Sequence, residues 1–386
     1  MSGSSKRIYF VLGEHSGDAL GADLHEALRT QAESRGEALD MTGLAGERLA
    51  ALGMRSLFDI QDIAVMGITA VASRLPKIVD RVYKVVNDIV RQSPDVIVLI
   101  DSPDFTHAVA KRVRRKRPDI AIVNYVCPSV WAWRSGRAKS MRAYVDHVLA
   151  ILPFEPSALE RLNGPPTTYV GHPLERSVAD QYPPRDVLAE NKRRRLLVLP
   201  GSRNTELNQL LSLYGETLRI LRNRGHAFDL ILPAVPRLKE RIARETKGWS
   251  VAPEIVNSAD NAAHFASADA ALIASGTVSL ELALHRVPHV SGYKFDAITS
   301  PFLRLLNTWS ANLPNLIADS VVVPEEINGM VMPERMVRHI EPLLSNTPLR
   351  RHQLDGFDRV RAAMRTQKPA GERAAEIIFD LMDRRL

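Results

Sequence analysis

Two stretches in the second half of the chain, LLVLPGSRNTEL (196–207) and AALIASGTVSLELAL (270–284), decide the fold. In each, a short apolar run leads through a turn of small residues into a segment with helical spacing. Continuous apolar runs of this length are typical of strands that are buried on both faces of a parallel sheet. A strand, a tight turn and a helix in that order form the βα unit of doubly wound proteins. The sequence therefore predicts an α/β fold.

The same alternation covers most of the chain, with amphipathic segments such as 78–91 and 206–224 between the apolar runs. A polar stretch with three prolines at 171–186 interrupts it and is typical of a linker. We therefore expect two Rossmann-like doubly wound domains that face a cleft. The predicted strands are 8–12, 96–100, 120–125, 148–152, 196–199, 230–233 and 270–274.

The expected domain limits follow from this break. We place an N-terminal Rossmann-like domain at 1–172, the linker at 173–186 and a C-terminal Rossmann-like domain at 187–355. The remaining residues, 356–386, form a helical tail. Its last helix, 371–385, is expected to pack against the N-terminal domain.

The composition is that of a globular protein. Of the 386 residues, 45% are apolar and 25% are charged, which excludes a disordered or fibrous chain. Lysine and arginine outnumber aspartate and glutamate by 51 to 44, a net charge of +7. This balance favours an anionic partner, which can be nucleic acid, a phospholipid surface or a phosphorylated metabolite.

The sequence predicts neither a signal peptide nor a membrane-spanning segment. The apolar run at 8–12 is too short for a signal peptide, and no run approaches the roughly 18 apolar residues that span a bilayer. The single cysteine, Cys127, excludes an internal disulfide and fits a reducing compartment. We therefore expect a cytoplasmic chain that is still able to touch a membrane.

The first predicted strand runs into GEHSGDALGADL (13–24), whose glycines are four residues apart. This spacing is neither the dinucleotide fingerprint nor a phosphate loop. Because carboxylates at the helix start would repel a diphosphate, we expect a hydroxyl-bearing group such as a sugar near Glu14, Ser16 and Asp18. The alternative is that Ser16 or Asp18 caps the helix and the glycines allow close packing.

The strand at 96–100 ends in DSPDF, with Asp101 and Asp104. Open α/β sheets bind their ligands at the carboxyl ends of strands. A carboxylate placed there can act as the general base that activates a sugar hydroxyl. The alternative is that either aspartate only caps the following helix.

Two turns of the C-terminal domain are candidate phosphate sites. Gly201, Ser202 and Arg203 offer backbone N–H groups at a helix start and a fixed positive charge, or else form a surface loop. Ser275, Gly276 and Thr277 precede a helix whose Glu281 lies one turn further along the same face. There the hydroxyl and N–H groups can hold phosphate, while the carboxylate accepts hydrogen bonds from ribose hydroxyls. The alternative is a plain capped helix with an exposed glutamate.

Two segments carry aromatic, apolar and basic side chains together. Trp133 and Arg134 lie in a tryptophan- and cation-rich stretch (126–142) that can bind nucleic-acid bases or the rim of a phosphorylated lipid or sugar, or can pack in the core. The segment 62–86, with Met66 and Ile68 and a basic rim behind them, can dock on an anionic bilayer. Core packing and an oligomer contact are its alternatives. The cationic run KRVRRKR (111–117) is a solvated helix face or a further site for phosphate or headgroups.

The histidines show no metal-ligand spacing, since His15, His172 and His285 are isolated in the sequence. We therefore expect no metal site and no other cofactor.

Together these motifs resemble a known family. The segments GEHSGD, AVMGI, IDSPDF, PSVWAWR, LPFE, GHP, LPGSR, ASGTVSLE and LPNL occur in this order over about 8–320 and are similar to those of lipid-A-disaccharide synthases. His15 and Cys127 depart from the family pattern, in which a small residue and a serine are more usual. Both lie in segments on the acceptor side.

The resemblance implies an inverting, metal-independent glycosyltransferase (a hexosyltransferase) of the GT-B type. It implies transfer of 2,3-diacylglucosamine from UDP-2,3-diacylglucosamine to 2,3-diacylglucosamine 1-phosphate (lipid X). The products are the β-1,6-linked disaccharide 1-phosphate and UDP, in lipid A and lipopolysaccharide biosynthesis of Gram-negative bacteria. The N-terminal domain then faces the acceptor and the membrane, and the C-terminal domain binds the UDP-sugar. The enzyme would work peripherally on the anionic inner face of the inner membrane, with a homodimer left open.

The resemblance also assigns roles to residues. Asp101 is the expected base for the acceptor 6-hydroxyl, with Asp104 and Glu14 as alternatives. Arg203 and the helix near Ser275 would hold the diphosphate, with Asn315 of LPNL on the same side. A UDP-sugar 2-epimerase, or a transferase to another lipid acceptor, remains the alternative on the same scaffold. No nucleic-acid-binding signature is present, so no nucleic-acid partner is expected.

Overall fold

The computed structural model describes residues 5–63, 68–175, 188, 193–295 and 306–384. The chain divides into two compact units. Unit 1 comprises Met1–Pro173 and Thr366–Leu386, and unit 2 comprises Leu174–Arg365. Each unit holds a six-stranded sheet in which the neighbouring strands pair in parallel. The predicted α/β class with two doubly wound sheets is confirmed.

Strands and helices alternate along unit 1. Its strands are β1 (Lys6–Leu12), β2 (Leu39–Gly43), β3 (Val96–Ile100), β4 (Ala121–Tyr125), β5 (His147–Ala150) and β6 (Thr167–Tyr169). Its helices are α1 (His15–Arg35), α2 (Glu47–Ala51), α3 (Ile68–Gln92), α4 (Pro103–Lys116), α5 (Gly136–Met141) and α6 (Glu155–Arg161), with α14 (Ala370–Asp383) added from the end of the chain.

Unit 2 repeats the pattern. Its strands are β7 (Arg194–Leu199), β8 (Phe228–Ala234), β9 (Glu254–Asn257), β10 (Ala270–Ala274), β11 (His289–Tyr293) and β12 (Glu325–Ile327). Its helices are α7 (Asn204–Asn223), α8 (Pro236–Glu245), α9 (Asn261–Ser267), α10 (Thr277–Leu284), α11 (Leu313–Ala318), α12 (Pro333–Ile340) and α13 (Pro348–Met364).

The order of the strands fixes where each unit can bind a ligand. The sheet of unit 1 runs β2-β1-β3-β4-β5-β6, and that of unit 2 runs β12-β11-β10-β7-β8-β9. The chain reverses its direction of winding between β1 and β3 in the first sheet and between β7 and β10 in the second. In open α/β sheets the ligand binds outside the carboxyl ends of the strands at such a switch point.

All seven predicted strands are present in the structure, and five further strands, β2, β6, β9, β11 and β12, were not predicted. Four of these five form sheet edges, and β11 lies next to an edge strand. Their sequences are short or polar, for example LDMTG in β2 and HVSGY in β11. The central strands β3, β4 and β10 are buried throughout, and their sequences, apolar except for Asn124 in β4, reflect that burial.

The helical tail begins later than the predicted residue 356. Helix α13 runs through that position and packs in unit 2, where Phe357 and Leu354 contact Val322 and Val323 in one apolar cluster. Of the predicted tail, only the residues from Thr366 onward belong to unit 1. There α14 packs Ile378 and Phe379 into the core of that unit. Most of the predicted linker lies outside the described residues.

Candidate active site

Unit 2 carries a cavity of about 440 Å³ at its switch point. The turns after β7 and β10 form its floor, and residues after β8 and β9 close one side. Six predicted residues line it: Gly201, Ser202, Arg203, Ser275, Gly276 and Thr277. The other lining residues were not predicted from the sequence; they are Leu199, Glu206, Pro233, Val235, Ser258, Asn261, Ala274 and Val278.

The turn after β7 is built around the side chain of Glu206. Its Oε2 accepts hydrogen bonds from the backbone N–H groups of Ser202 (2.7 Å) and Arg203 (3.1 Å). Gly201 has φ +110°, and a Cβ atom there would lie 2.2 Å from the same oxygen. The turn therefore requires glycine for its conformation and for the space that Glu206 fills.

This arrangement corrects one detail of the predicted anion site. The N–H groups of Ser202 and Arg203 are not free for phosphate, because Glu206 already accepts from both. The cationic contribution of the turn comes instead from the Arg203 side chain, which is 59% exposed although its guanidinium lies 3.4 Å from the Glu206 carboxylate. Arg237 adds to it, since its guanidinium donates to the Ser202 carbonyl at 2.8 Å. No sequence motif marks Arg237, because only the pairing of β7 with β8 brings α8 to this turn.

The second turn of the cavity precedes α10. The Ser275 hydroxyl donates to the carbonyl of Ala311 at 2.8 Å, which ties the turn to the segment before α11. Gly276 is the N-cap residue, and no side chain caps the helix. The first N–H groups of α10 therefore face the cavity beside Thr277 and Val278, where an anion is stabilised by the helix start.

Two residues assigned to the nucleotide side do not line this cavity. Burial raises the pKa of Glu281, and its carboxylate has no hydrogen-bond partner among the described residues, so it remains available one turn beyond Thr277. Asn315 is fully buried. Its amide donates to the Val323 carbonyl and accepts from the N–H groups of Val322 and Val323. In the described structure Asn315 therefore builds the segment after α11 and makes no cavity contact, which corrects the predicted direct role.

In unit 1 the switch point brings together the turns after β1 and β3. The Ser16 hydroxyl donates to Oδ2 of Asp101 at 2.8 Å, and the N–H of Ser102 donates to Oδ1 at 2.8 Å. A Cβ on Gly13 would lie 2.7 Å from the Ser102 Cβ, so glycine permits this close approach. Each Asp101 carboxylate oxygen keeps a lone pair for a further proton donor.

The other two candidate bases are placed differently. Glu14 is exposed at the N-cap position of α1, and its side chain makes no capping hydrogen bond. Asp104 is also exposed, with 84% of its side-chain surface accessible, and it pairs with Arg137 at 2.8 Å. Asp101 is therefore the candidate that is both half-buried and fixed by hydrogen bonds.

Asp18 has a structural role, which corrects its predicted place on the acceptor side. It is 2% exposed, and its carboxylate accepts from the N–H groups of Gly46 (2.9 Å), Arg48 (2.8 Å) and Leu49 (3.2 Å). These are the free N–H groups at the start of α2. Asp18 thus caps a second helix, not its own, and is buried away from any ligand.

The two tryptophan rings of the segment after β4 have different surroundings. Trp131 donates from Nε1 to the Glu155 carboxylate at 3.2 Å and packs edge-on against Phe154. Glu155 is buried, and burial raises its pKa to about 8. The Arg134 guanidinium stacks on the Trp133 ring, with its central carbon 5.5 Å from the ring centre. Trp133 is half-buried, and Arg134 beside it is exposed.

The predicted docking segment 62–86 is described in part. Met66 lies outside the described residues, and the Ile68 side chain is not described. Within α3, Leu75, Val79 and Tyr83 are 52%, 42% and 48% exposed and, at a spacing of four, lie on one stripe. The predicted basic rim is partly neutralised, because Lys77 and Arg81 both pair with Asp62.

The cationic run in α4 is used in several ways. Arg114 pairs with Asp146 and Arg117 with Asp119. The Arg112 guanidinium lies 5.2 Å from the centre of the Tyr83 ring, beside the apolar stripe of α3. Arg115 is exposed. Within the described ranges, no group of three or more His, Cys, Asp and Glu residues could hold a metal ion, and none of the helices there is long and apolar enough to cross a membrane.

Known proteins resemble this chain over nearly its whole length. Residues 8–378 match the family described as lipid-A-disaccharide synthetase. A lipid-A-disaccharide synthase of Rhodopseudomonas palustris (strain HaA2) is 45% identical, over 99% of this chain and 98% of the relative. One of Nitrobacter hamburgensis is 43% identical, over 98% of this chain and 96% of that protein.

Solved structures share the fold at low sequence identity. MurG of Acinetobacter baumannii has a TM-score of 0.56 at 13% identity and covers 98% of this chain and 99% of its own. A UDP-GlcNAc 2-epimerase of Methanocaldococcus jannaschii, solved with UDP-GlcNAc and UDP, has a TM-score of 0.59 at 14% identity, over 97% of this chain and 99% of its own. The predicted GT-B fold class is confirmed by such neighbours. With the match over nearly its whole length, the chain belongs to the lipid-A-disaccharide synthase family of glycosyltransferases.

Proposed function

We propose that this chain transfers 2,3-diacylglucosamine from UDP-2,3-diacylglucosamine to the 6-hydroxyl of lipid X, 2,3-diacylglucosamine 1-phosphate. The products are the β-1,6-linked disaccharide 1-phosphate and UDP. The observation that carries this proposal is the family match over residues 8–378. The bond that breaks joins the anomeric carbon of the donor to the β-phosphate oxygen, and the bond that forms joins that carbon to the acceptor oxygen.

The cavity of unit 2 is the proposed UDP site. Its volume of about 440 Å³ lies within the range of small-molecule sites. Arg203 and the start of α10 offset the negative charge that develops on the leaving diphosphate. Glu281 is proposed to accept hydrogen bonds from the ribose hydroxyls, because its carboxylate has no protein partner among the described residues. Nothing in this assignment uses a metal ion.

Asp101 of unit 1 is the proposed general base. The hydrogen bonds from Ser16 and Ser102 hold its carboxylate in one orientation, and a positioned base contributes about 10²- to 10⁴-fold to the rate. The proton of the acceptor 6-hydroxyl passes to Asp101 as the new bond forms. Glu14 and Asp104 remain alternatives for this role.

A mixed-micelle assay tests the reaction directly. Purified protein is given both substrates in the presence of EDTA, and UDP and the disaccharide are measured. Equal amounts of both products under chelation would support the reaction and its independence from a metal. UDP release without disaccharide would keep the nucleotide site and refute the acceptor. Conversion of a UDP-sugar to its 2-epimer, with no transfer, would favour the epimerase alternative.

We further propose that α3 docks this enzyme on the anionic cytoplasmic face of the inner membrane. Both substrates carry acyl chains, so the enzyme must reach them at a bilayer. The apolar stripe Leu75, Val79 and Tyr83 is exposed, and Arg112 lies against its last member. An apolar stripe beside cations is the pattern of an interfacial helix on anionic lipid.

Vesicle flotation tests the docking surface. Leu75→Asp with Val79→Asp should release the protein from phosphatidylglycerol vesicles, while Val321→Asp with Leu349→Asp should not. The control residues are apolar side chains that are even more exposed, at 64% and 61% against 52% and 42% for Leu75 and Val79, but they lie in unit 2. Equal binding by both double variants would refute the role of α3.

A homodimer stays a prediction, which sedimentation equilibrium in detergent can test.

A further inference from the structure

Val126, the first residue after β4, has an uncommon backbone conformation. Its φ is +75°, in the left-handed region that is a genuine outlier for a β-branched side chain. Strained residues persist only where the surrounding contacts over-determine them, and they cluster at functional sites. Val126 opens the segment that leads to Trp133 and Arg134.

A chain of buried hydrogen bonds ends on the Val126 carbonyl. Nδ2 of Asn124 lies 2.8 Å from that oxygen, Oδ1 of Asn124 lies 3.0 Å from Nε2 of His107, and the Tyr144 hydroxyl lies 3.2 Å from Nδ1 of His107. Asn124, His107 and Tyr144 are 2%, 4% and 4% exposed. Burial on this scale leaves water little access as a substitute partner for the three side chains.

The direction of each bond in this chain is determined. A carbonyl oxygen only accepts, so the Asn124 atom that faces Val126 must be the amide nitrogen. Oδ1 then faces His107 and requires a proton on Nε2. Burial lowers the pKa of His107 to about 4, so the ring is neutral near pH 7, and the charged groups near it are Arg137, Lys111 and Asp104. In a neutral ring with its proton on Nε2, Nδ1 accepts from the Tyr144 hydroxyl.

These hydrogen bonds connect two parts of the unit 1 site. His107 belongs to α4, whose first turn follows Asp101 and carries Asp104. Asn124 belongs to β4, two residues before Val126. Two side chains thus link α4 to the start of the Trp133 segment by hydrogen bonds.

We propose that His107 and Asn124 are positioning residues, which hold Val126 in its left-handed conformation and so fix the Trp133–Arg134 segment relative to the Asp101 turn. This inference rests on the proposed acceptor role of unit 1. The ligand that depends on them is the phosphorylated glucosamine acceptor, not the nucleotide. Their loss should therefore affect the acceptor KM and kcat and leave UDP affinity unchanged.

A double-mutant cycle tests the strained residue. Asn124→Ala in the parent chain should lower kcat/KM for the acceptor by about 10- to 100-fold, the size of effect that a displacement of about 1 Å produces. Glycine adopts a positive φ without strain, so in a Val126→Gly background the same substitution should cost about twofold or less. Equal losses in the two backgrounds would overturn the proposal, since Asn124 would then act independently of Val126.

A matched pair of substitutions at His107 provides the conservative rescue. A glutamine side chain can still donate an N–H toward Asn124, so His107→Gln should retain activity within about fivefold, whereas His107→Leu should resemble Asn124→Ala. The assays are run at a temperature at which circular dichroism shows every variant fully folded. Equal activity of the two His107 variants would contradict the hydrogen-bond chain.

Two readouts separate this inference from the proposed reaction. The ¹⁵N shifts of His107 report its tautomer without any substrate, and a neutral ring protonated on Nδ1 would refute the hydrogen-bond chain even in an active enzyme. Binding of UDP by calorimetry should stay within about twofold of the parent in every variant. If the parent chain forms no disaccharide, the proposed function fails, while the tautomer and the strained turn are still tested by spectroscopy.

Discussion

Asp101 has a positive φ of +55°, as does its neighbour Ser102 at +43°. Two strained residues in succession turn the chain sharply at the end of β3, which presents the Asp101 carboxylate to the turn after β1. The Ser16 and Ser102 hydrogen bonds then fix its orientation. At this scale, the proposed base is a side chain that is held in place before any substrate binds.

Asp101→Asn should therefore lower kcat by about 10²- to 10⁴-fold and leave the Kd for UDP within about twofold. The substitution keeps the shape of the side chain but removes its basicity. Asp104→Asn is the matched control. Its ion pair with Arg137 is exposed and contributes little, so kcat should fall by less than about fivefold. A larger effect at Asp104 than at Asp101 would reassign the base.

Asp18 illustrates the opposite case, a carboxylate beside the site that only supports structure. Asp18→Ala should lower the free energy of unfolding of unit 1 by about 2 kcal/mol, because three N–H groups at the start of α2 lose their cap. The kcat of the folded protein should stay within about twofold. The exposed Glu26→Ala, on the same helix, is the control for stability in urea unfolding. A stable but inactive Asp18 variant would restore the predicted acceptor role.

At the scale of elements, the start of α7 shows how a turn can be completed by its own helix. Glu206 accepts from the N–H groups of Ser202 and Arg203, just before the helix, and fills the space beside Gly201. The helix start is thus partly neutralised before any ligand binds. What remains for a diphosphate is the Arg203 side chain and the uncapped start of α10.

Arg203→Ala should weaken UDP binding by about tenfold or more, since a charge-assisted hydrogen bond contributes roughly 1.5–3 kcal/mol. The rate should fall as well, because the same charge stabilises the leaving diphosphate. Arg219→Ala is the control, since Arg219 is an exposed cation on the same helix that pairs with Glu216. Normal UDP affinity after loss of Arg203 would contradict the assignment.

At the scale of the whole molecule, both units contain buried neutral histidines. Burial lowers the pKa of four of them to about 4: His107 and His172 in unit 1, and His285 and His289 in unit 2. In the unfolded chain each binds a proton below about pH 6.5. Protons bound only by the unfolded chain favour unfolding, so acid should destabilise both units.

The free energy of unfolding should therefore decrease as the pH falls from about 6.5 to 5, by about 1.4 kcal/mol per pH unit for each buried histidine. Glu155 acts in the opposite sense. Its pKa is about 8 in the folded state, so its contribution is lost as the pH rises from about 4.5 to 8. Urea unfolding at pH 5, 6.5 and 8 measures both effects.

Two variants separate these contributions to the pH profile. Glu155→Gln should remove the decline above pH 6.5, and His289→Gln should reduce the decline below it. A parent protein with the same urea midpoint at pH 5 and pH 6.5 would show that these histidines are not buried and neutral.

The sequence by itself determined the central strands, the class of fold and the turns that carry Asp101, Arg203 and Ser275, because buried parallel strands and glycine turns leave a local pattern. It missed the edge strands, whose polar sequences carry no such pattern. It also could not separate a ligand contact from a structural one: Asp18, Asn315 and the N–H groups after Gly201 all have protein partners. Which partner a polar group meets depends on how the folded backbone places it: Asp18 meets the distant Gly46, and even the nearer partners Glu206 and Val322 are reached only through the turns of the folded chain. Only the tertiary structure decides that, because it alone brings those groups within hydrogen-bond distance.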